Sequence, residues 1–98
     1  MVFAALNPQI VQSIMDNDSV LVDVRSKAEF DAGHAKHSIN FAVEDMDSGK
    51  LPDIQKSTPI YVYCRTGRRS EIAKILLTKA GYTKVENIGG LSEISALL

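Results

Sequence analysis

Apolar positions in this chain follow two alternating rhythms. Val20-Leu21-Val22-Asp23-Val24 and Pro59-Ile60-Tyr61-Val62-Tyr63 are short, nearly continuous apolar runs. Such runs, rich in β-branched and aromatic residues, predict strands covered on both faces. Between and beyond them, apolar residues return every three or four positions, as on one face of a helix. Asn7-Pro8 supplies a cap and a first-turn residue for a helix whose Ile10, Val11, Ile14 and Met15 share a face, ending at Asn17-Asp18. Ser26 and Glu29 form a Ser-x-x-Glu capping box for a short helical turn through Phe30. Ile39-Asn40-Phe41-Ala42 is a weaker strand signal. The stretch from Glu44 to Lys56 is polar and ambiguous, broken by Gly49 and Pro52.

The pattern predicts a second long helix from Ser70 to Ala80. Ile72, Ile75, Leu76 and Ala80 fall on one face, flanked by Ala73 and Leu77, and Gly81 is the stop. Lys84 to Ile88 reads as a strand, followed by a Gly89-Gly90 turn and a short closing helix. Helix and strand alternate throughout. The expectation is a single α/β domain over residues 1–98, with a short, parallel or mostly parallel central sheet and helices on both faces. Ligands of such sheets sit beyond the carboxyl ends of the strands, which is where Cys64 falls.

Composition adds a charge asymmetry. The 98 residues carry a net charge of -1, so the chain as a whole advertises neither nucleic-acid nor membrane binding. Six of the eleven basic residues nevertheless lie between Arg65 and Lys84, where Glu71 is the only acid. One cysteine rules out an internal disulfide and a multi-cysteine metal site, and fits a reducing compartment. No apolar run approaches membrane-spanning length, and Met1 to Leu6 is too short for a secretory signal. A cytoplasmic location is the expectation.

The chemistry concentrates in Cys64-Arg65-Thr66-Gly67-Arg68-Arg69-Ser70. A thiol is placed on a strand-to-helix turn with three arginines in the next five residues. Nearby cations and a helix N-terminus both favour the thiolate, the reactive form of cysteine. Gly67 permits a left-handed turn that aims successive N–H groups inward, suiting an anion. Two thiol chemistries fit such a cradle. Cysteine phosphatases place an arginine six residues after the cysteine; here that position is Ser70, and Arg69 comes one residue early. Phosphate ester cleavage also needs a general acid for the leaving alkoxide. Sulfur transfer needs none, because sulfite leaves as a stable anion.

Taken together, these stretches resemble a single-domain rhodanese, a thiosulfate sulfurtransferase. Leu21-Val22-Asp23-Val24-Arg25, with Glu29-Phe30 and Gly33-His34, is similar to the family's N-terminal signature. Tyr63 to Ser70 resembles its six-residue active-site loop, and Gly81-Tyr82, Val85 and Gly89-Gly90-Leu91 its closing segment. The sequence departs from that pattern at Ala35-Lys36-His37-Ser38 and in having no tryptophan. The resemblance implies a rhodanese-like fold and a persulfide carried on Cys64. It implies that Arg65, Thr66, Gly67, Arg68, Arg69 and Ser70 bind thiosulfate and the persulfide, with Asp23 and Arg25 as structural support. The implied partners are thiosulfate or another sulfane-sulfur donor and a thiophilic acceptor such as cyanide or a dithiol protein. No cofactor and no metal are implied, and His34 is expected to be a hydrogen-bonding turn residue. A phosphatase or arsenate reductase of the related fold, and a non-catalytic sulfur-carrier or binding module, remain the alternatives.

Overall fold

A computed structural model describes residues 3–94 of the protein. The elements run α1 (Pro8–Met15), β1 (Val20–Asp23), α2 (Lys27–Ala32), β2 (Ser38–Asn40), α3 (Val43–Asp47), β3 (Ile60–Cys64), α4 (Arg68–Lys79), β4 (Val85–Gly90) and α5 (Leu91–Ile94). The four strands form one parallel sheet in the order β2-β1-β3-β4. The carboxyl ends of β1 and β3, adjacent in the middle of the sheet, therefore open on the same edge.

Alternation along the strands divides the core into two layers. Val22, Val24, Ile60, Val62, Cys64 and Val85 face one side, where Val43 and Met46 of α3 and Ala73 and Leu77 of α4 pack on them. Leu21, Tyr63 and Ile88 face the other, against Ile14 of α1 and Ile94 of α5. Helices thus cover both faces, and neighbouring residues Tyr63 and Cys64 belong to opposite layers.

Local signals explain several boundaries. Asn7 Oδ1 accepts the Ile10 N–H at 2.9 Å, and Pro8 occupies the first turn. The capping box at α2 is complete, with Ser26 Oγ accepting from the Glu29 N–H and Glu29 Oε1 from the Ser26 N–H. Gly67, at φ 98°, caps α4 in the left-handed region expected of it. His34 donates from Nδ1 to the Phe30 carbonyl at 2.7 Å, as a turn residue does.

The ambiguous polar stretch carries most of the one-turn helix α3, closed by Ser48 and Gly49, where the Gly49 break falls. Two expectations need correction. Gly89-Gly90 is no turn but the end of β4, where Gly90 pairs with Cys64 across a register shift. An extra residue in β4, with Gly89 at φ 96°, absorbs that shift. The buried face of α4 is Ser70, Ala73 and Leu77, while Ile72 and Ile75 are each 47% exposed. Ser70, facing the sulfur of Cys64, lies on the same face as Ala73 and Leu77, which pack into the core with Leu76 and Ala80 against it.

Candidate active site

Cys64 ends β3 and is 1% exposed at the floor of the turn that enters α4. The Gly67 N–H points at Sγ from 3.0 Å and the Ser70 hydroxyl lies 3.5 Å away. Burial alone would raise the thiol pKa. Hydrogen bonds from the Ser70 hydroxyl and from the Ser70, Thr66 and Gly67 N–H groups outweigh it and bring the pKa below its ordinary value. The lowering comes chiefly from oriented dipoles of the turn, which the left-handed Gly67 makes possible.

The arginines divide into two roles by position. Arg65 and Arg68 are exposed and form no ion pair among the described residues. Arg65 and Thr66 line a pocket of about 760 Å³ together with Arg25, Glu29, Gly33 and Leu91. Arg69 instead turns to α2, its Nη1 and Nη2 donating to the two Glu29 carboxylate oxygens at 2.6 and 2.9 Å. That contact, with the capping-box bonds from Ser26, pushes Glu29 down to about 2.

Asp23 and Arg25 brace the neighbouring strand end. The Asp23 carboxylate accepts from the Arg25 N–H at 2.9 Å, from Arg25 Nη2 at 2.7 Å and from the Tyr63 hydroxyl at 2.9 Å. Arg25 Nη2 also donates to the Gly33 carbonyl at 2.6 Å, tying down the far end of α2. The pair is buried, at 7% and 0% side-chain exposure, so hydrogen bonds rather than solvent must balance both charges. Tyr63 in turn accepts the Ala35 N–H at 3.1 Å. The residue beside Cys64 thus anchors the segment that enters β2.

The match to known proteins follows this geometry. The model of the rhodanese-like domain family matches residues 7–97. The chain belongs to that family. It is 36% identical over 77 residues to the thiosulfate sulfurtransferase PspE of Escherichia coli, covering 76% of this chain and 72% of that one. It is 38% identical over 87 residues to a putative mitochondrial thiosulfate sulfurtransferase of Schizosaccharomyces pombe, covering 76% and 61%. A 40% match over 76 residues to an adenylyltransferase and sulfurtransferase, uba4, of Ogataea parapolymorpha spans a fifth of that longer protein, 20% of its length. Among solved structures, a human single-domain sulfurtransferase superimposes with TM-score 0.80 at 23% identity over 93% of this chain and 92% of that one, a likeness of fold. An E. coli rhodanese with anions superimposes with TM-score 0.66 at 35% identity, over 79% and 92%.

In this rhodanese-like domain, some residues at the site escaped the pattern of the sequence. Glu29 was legible as a cap but not as the partner of Arg69, forty positions away. Tyr63 is legible as part of a buried strand and of the loop motif but not as the partner of Asp23, although a phenol among aliphatic residues signals a buried hydrogen bond. Asn87, 1% exposed in β4, carries the same kind of signal. Phe3 packs its ring against Gly67, and nothing in the local pattern points to it. Among the described residues no cluster of three His, Cys, Asp or Glu side chains is arranged to hold a metal ion.

Proposed function

We propose that this domain is a sulfurtransferase that moves a sulfane sulfur from thiosulfate, or another donor, through a Cys64 persulfide to a thiophilic acceptor such as cyanide or a dithiol. The observation that supports the reading is the set of donors converging on Cys64 Sγ in a turn whose Arg65 lines the adjoining pocket and has no ion pair among the described residues. The thiolate attacks the outer sulfur of thiosulfate. A bond forms between the two sulfurs, the sulfur–sulfur bond of thiosulfate breaks, and sulfite leaves with its electron pair. The Thr66, Gly67 and Ser70 N–H groups that held the thiolate then face the anionic terminal sulfur. An acceptor such as cyanide takes that sulfur as thiocyanate and returns the thiolate.

In this scheme Arg65 and Arg68 attract the dianionic donor. Arg69 holds the start of α4 in place through Glu29, and Asp23 and Arg25 hold the end of β1. The near-complete burial of Cys64 favours donors that present a single slim atom, which the outer sulfur of thiosulfate is. The lone reactive thiol suits a reducing, cytoplasmic setting. With no second cysteine in the chain, the persulfide cannot resolve as an internal disulfide and waits for an outside acceptor.

The test is thiosulfate–cyanide turnover beside phosphatase and arsenate reductase assays, on wild type and Cys64→Ser. Thiocyanate formation lost in a folded Cys64→Ser variant, and one added sulfur on the intact mass of thiosulfate-treated wild type, are the expected results. A folded Cys64→Ser variant that turns over at the wild-type rate overturns the assignment.

A further inference from the structure

Asn87 stands behind the turn at Cys64, buried on β4, and the partners of its side chain among the described residues include four groups there. Nδ2 donates to the Gly67 carbonyl at 3.0 Å and to Glu71 Oε1 at 3.1 Å. Oδ1 accepts from the Ser70 hydroxyl at 2.8 Å and from the Gly89 N–H at 3.0 Å. The amide orientation is unambiguous, since a carbonyl demands the NH₂ and an N–H demands the oxygen. The Asn87 main-chain carbonyl also accepts the Ala4 N–H at 2.8 Å, so the residue joins the N-terminal segment, β4, the turn and α4.

We propose that Asn87 is a positioning residue of the Cys64 centre, acting on the sulfur through Ser70 and Gly67. Two of the groups it holds belong to residues that donate to Sγ: the Gly67 N–H at 3.0 Å and the Ser70 hydroxyl at 3.5 Å. By fixing the Gly67 carbonyl, Asn87 holds the left-handed turn that aims the Gly67 N–H. By holding Ser70 Oγ, it keeps the hydroxyl within reach of the sulfur. A hydroxyl has one proton. With Cys64 as a neutral thiol, the shorter contact to Asn87 Oδ1 takes it. Against a thiolate, the charged acceptor is the stronger, and the hydroxyl turns to Sγ. Asn87 Oδ1 then still keeps the Gly89 N–H, so the turn leaves no buried acceptor empty. Among the described residues, the charged groups around this assembly include Glu71 and Arg69 of α4, Arg65 of the turn, Glu29 of α2 and Glu44 of α3.

The proposal rests on Cys64 being the reacting thiol, but its test reads thiolate formation and needs no sulfur donor. The pH midpoint of Cys64 alkylation by iodoacetamide is measured in wild type, Asn87→Ala and Val85→Ala. Val85→Ala is a core truncation two residues earlier on the same strand. The Asn87→Ala midpoint is expected to rise by about one pH unit, tenfold less thiolate on the acid side, because losing the aim of the Gly67 N–H outweighs freeing the Ser70 hydroxyl from its rival acceptor. The Val85→Ala midpoint is expected to stay at the wild-type value despite its lost stability. An unchanged or lowered midpoint in folded Asn87→Ala overturns the proposal, as does an equal rise in Val85→Ala. A measurement on the unaltered chain stands beside these. In ¹⁵N-labelled wild type, the Asn87 side-chain amide signals are expected to titrate with the same midpoint as alkylation, because Ser70 changes acceptor there. Amide signals that do not move across that midpoint overturn it even if Asn87→Ala fails to fold.

Discussion

Arg69 gives both of its terminal nitrogens to Glu29 and so links the first turn of α4 to the first turn of α2 across forty residues. The pair is about one third exposed on each side, at 31% and 33%, so its contribution to stability is small, below about 1 kcal/mol. Its sign against pH is definite. Folding lowers the Glu29 pKa from 4.5 to about 2, so the pair stabilises the fold fully above pH 4.5 and is lost as pH falls toward 2. Glu29→Gln is expected to unfold at slightly lower temperature at pH 7 and to show a shallower loss of Tm between pH 4.5 and 2. Calorimetry across that range checks it; parallel acid limbs in the two proteins would mean the pair contributes nothing.

Ser70→Ala removes one donor to the sulfur and leaves the N–H groups in place. Burial then weighs more heavily, and the Cys64 pKa rises. The alkylation midpoint is expected to move up by a few tenths to one pH unit, the worth of a charge-assisted hydrogen bond of about 1 kcal/mol. Sulfur loading from thiosulfate should fall most at low pH and recover at high pH. A uniform loss at every pH would point instead to a distorted turn.

Arg65→Ala is expected to leave Tm unchanged, because the side chain is exposed and forms no hydrogen bond or ion pair among the described residues. The KM for thiosulfate should rise roughly tenfold, the loss of one charge-assisted contact to a dianion. Steady-state kinetics decide it, and an unchanged KM would make Arg65 a surface charge.

Gly67→Ala meets two obstacles. Its φ of 98° is strained for any residue with a Cβ, and the added methyl collides with the Phe3 ring. A loss of at least about 1 kcal/mol is expected, a fall in Tm of roughly 4–8 °C or more for a domain of this size. Phe3→Ala in the Gly67→Ala background should recover part of that loss. No recovery would show that backbone strain, rather than the ring, is the whole cost.

The elements of this protein were legible because each has a local cause. The valine run of β1, the Asn7-Pro8 start, the Ser26–Glu29 box and the left-handed Gly67 depend on residues within a few positions of one another, and the structure has them all. The turn around Cys64 was legible for the same reason, since a donor-rich turn between a strand and a helix is a local object.

What lay beyond the sequence depends on how separate segments meet. Ile72 and Ile75 carry the strongest apolar signal on α4, yet Ala73 and Leu77 are the ones buried, because it is their side of the helix that meets the strands and α3. Gly89-Gly90 looks like a turn and is a strand end, because pairing with Cys64 supplies the hydrogen bonds a turn would otherwise provide. Arg69 is one of three similar arginines until Glu29 arrives from another helix. Asn87 is an ordinary polar residue beside Glu86 until the turn, α4 and the N-terminal segment close around it. Periodicity and capping act over a few residues, whereas the partner of a buried amide or a guanidinium is chosen only when the chain has folded back on itself.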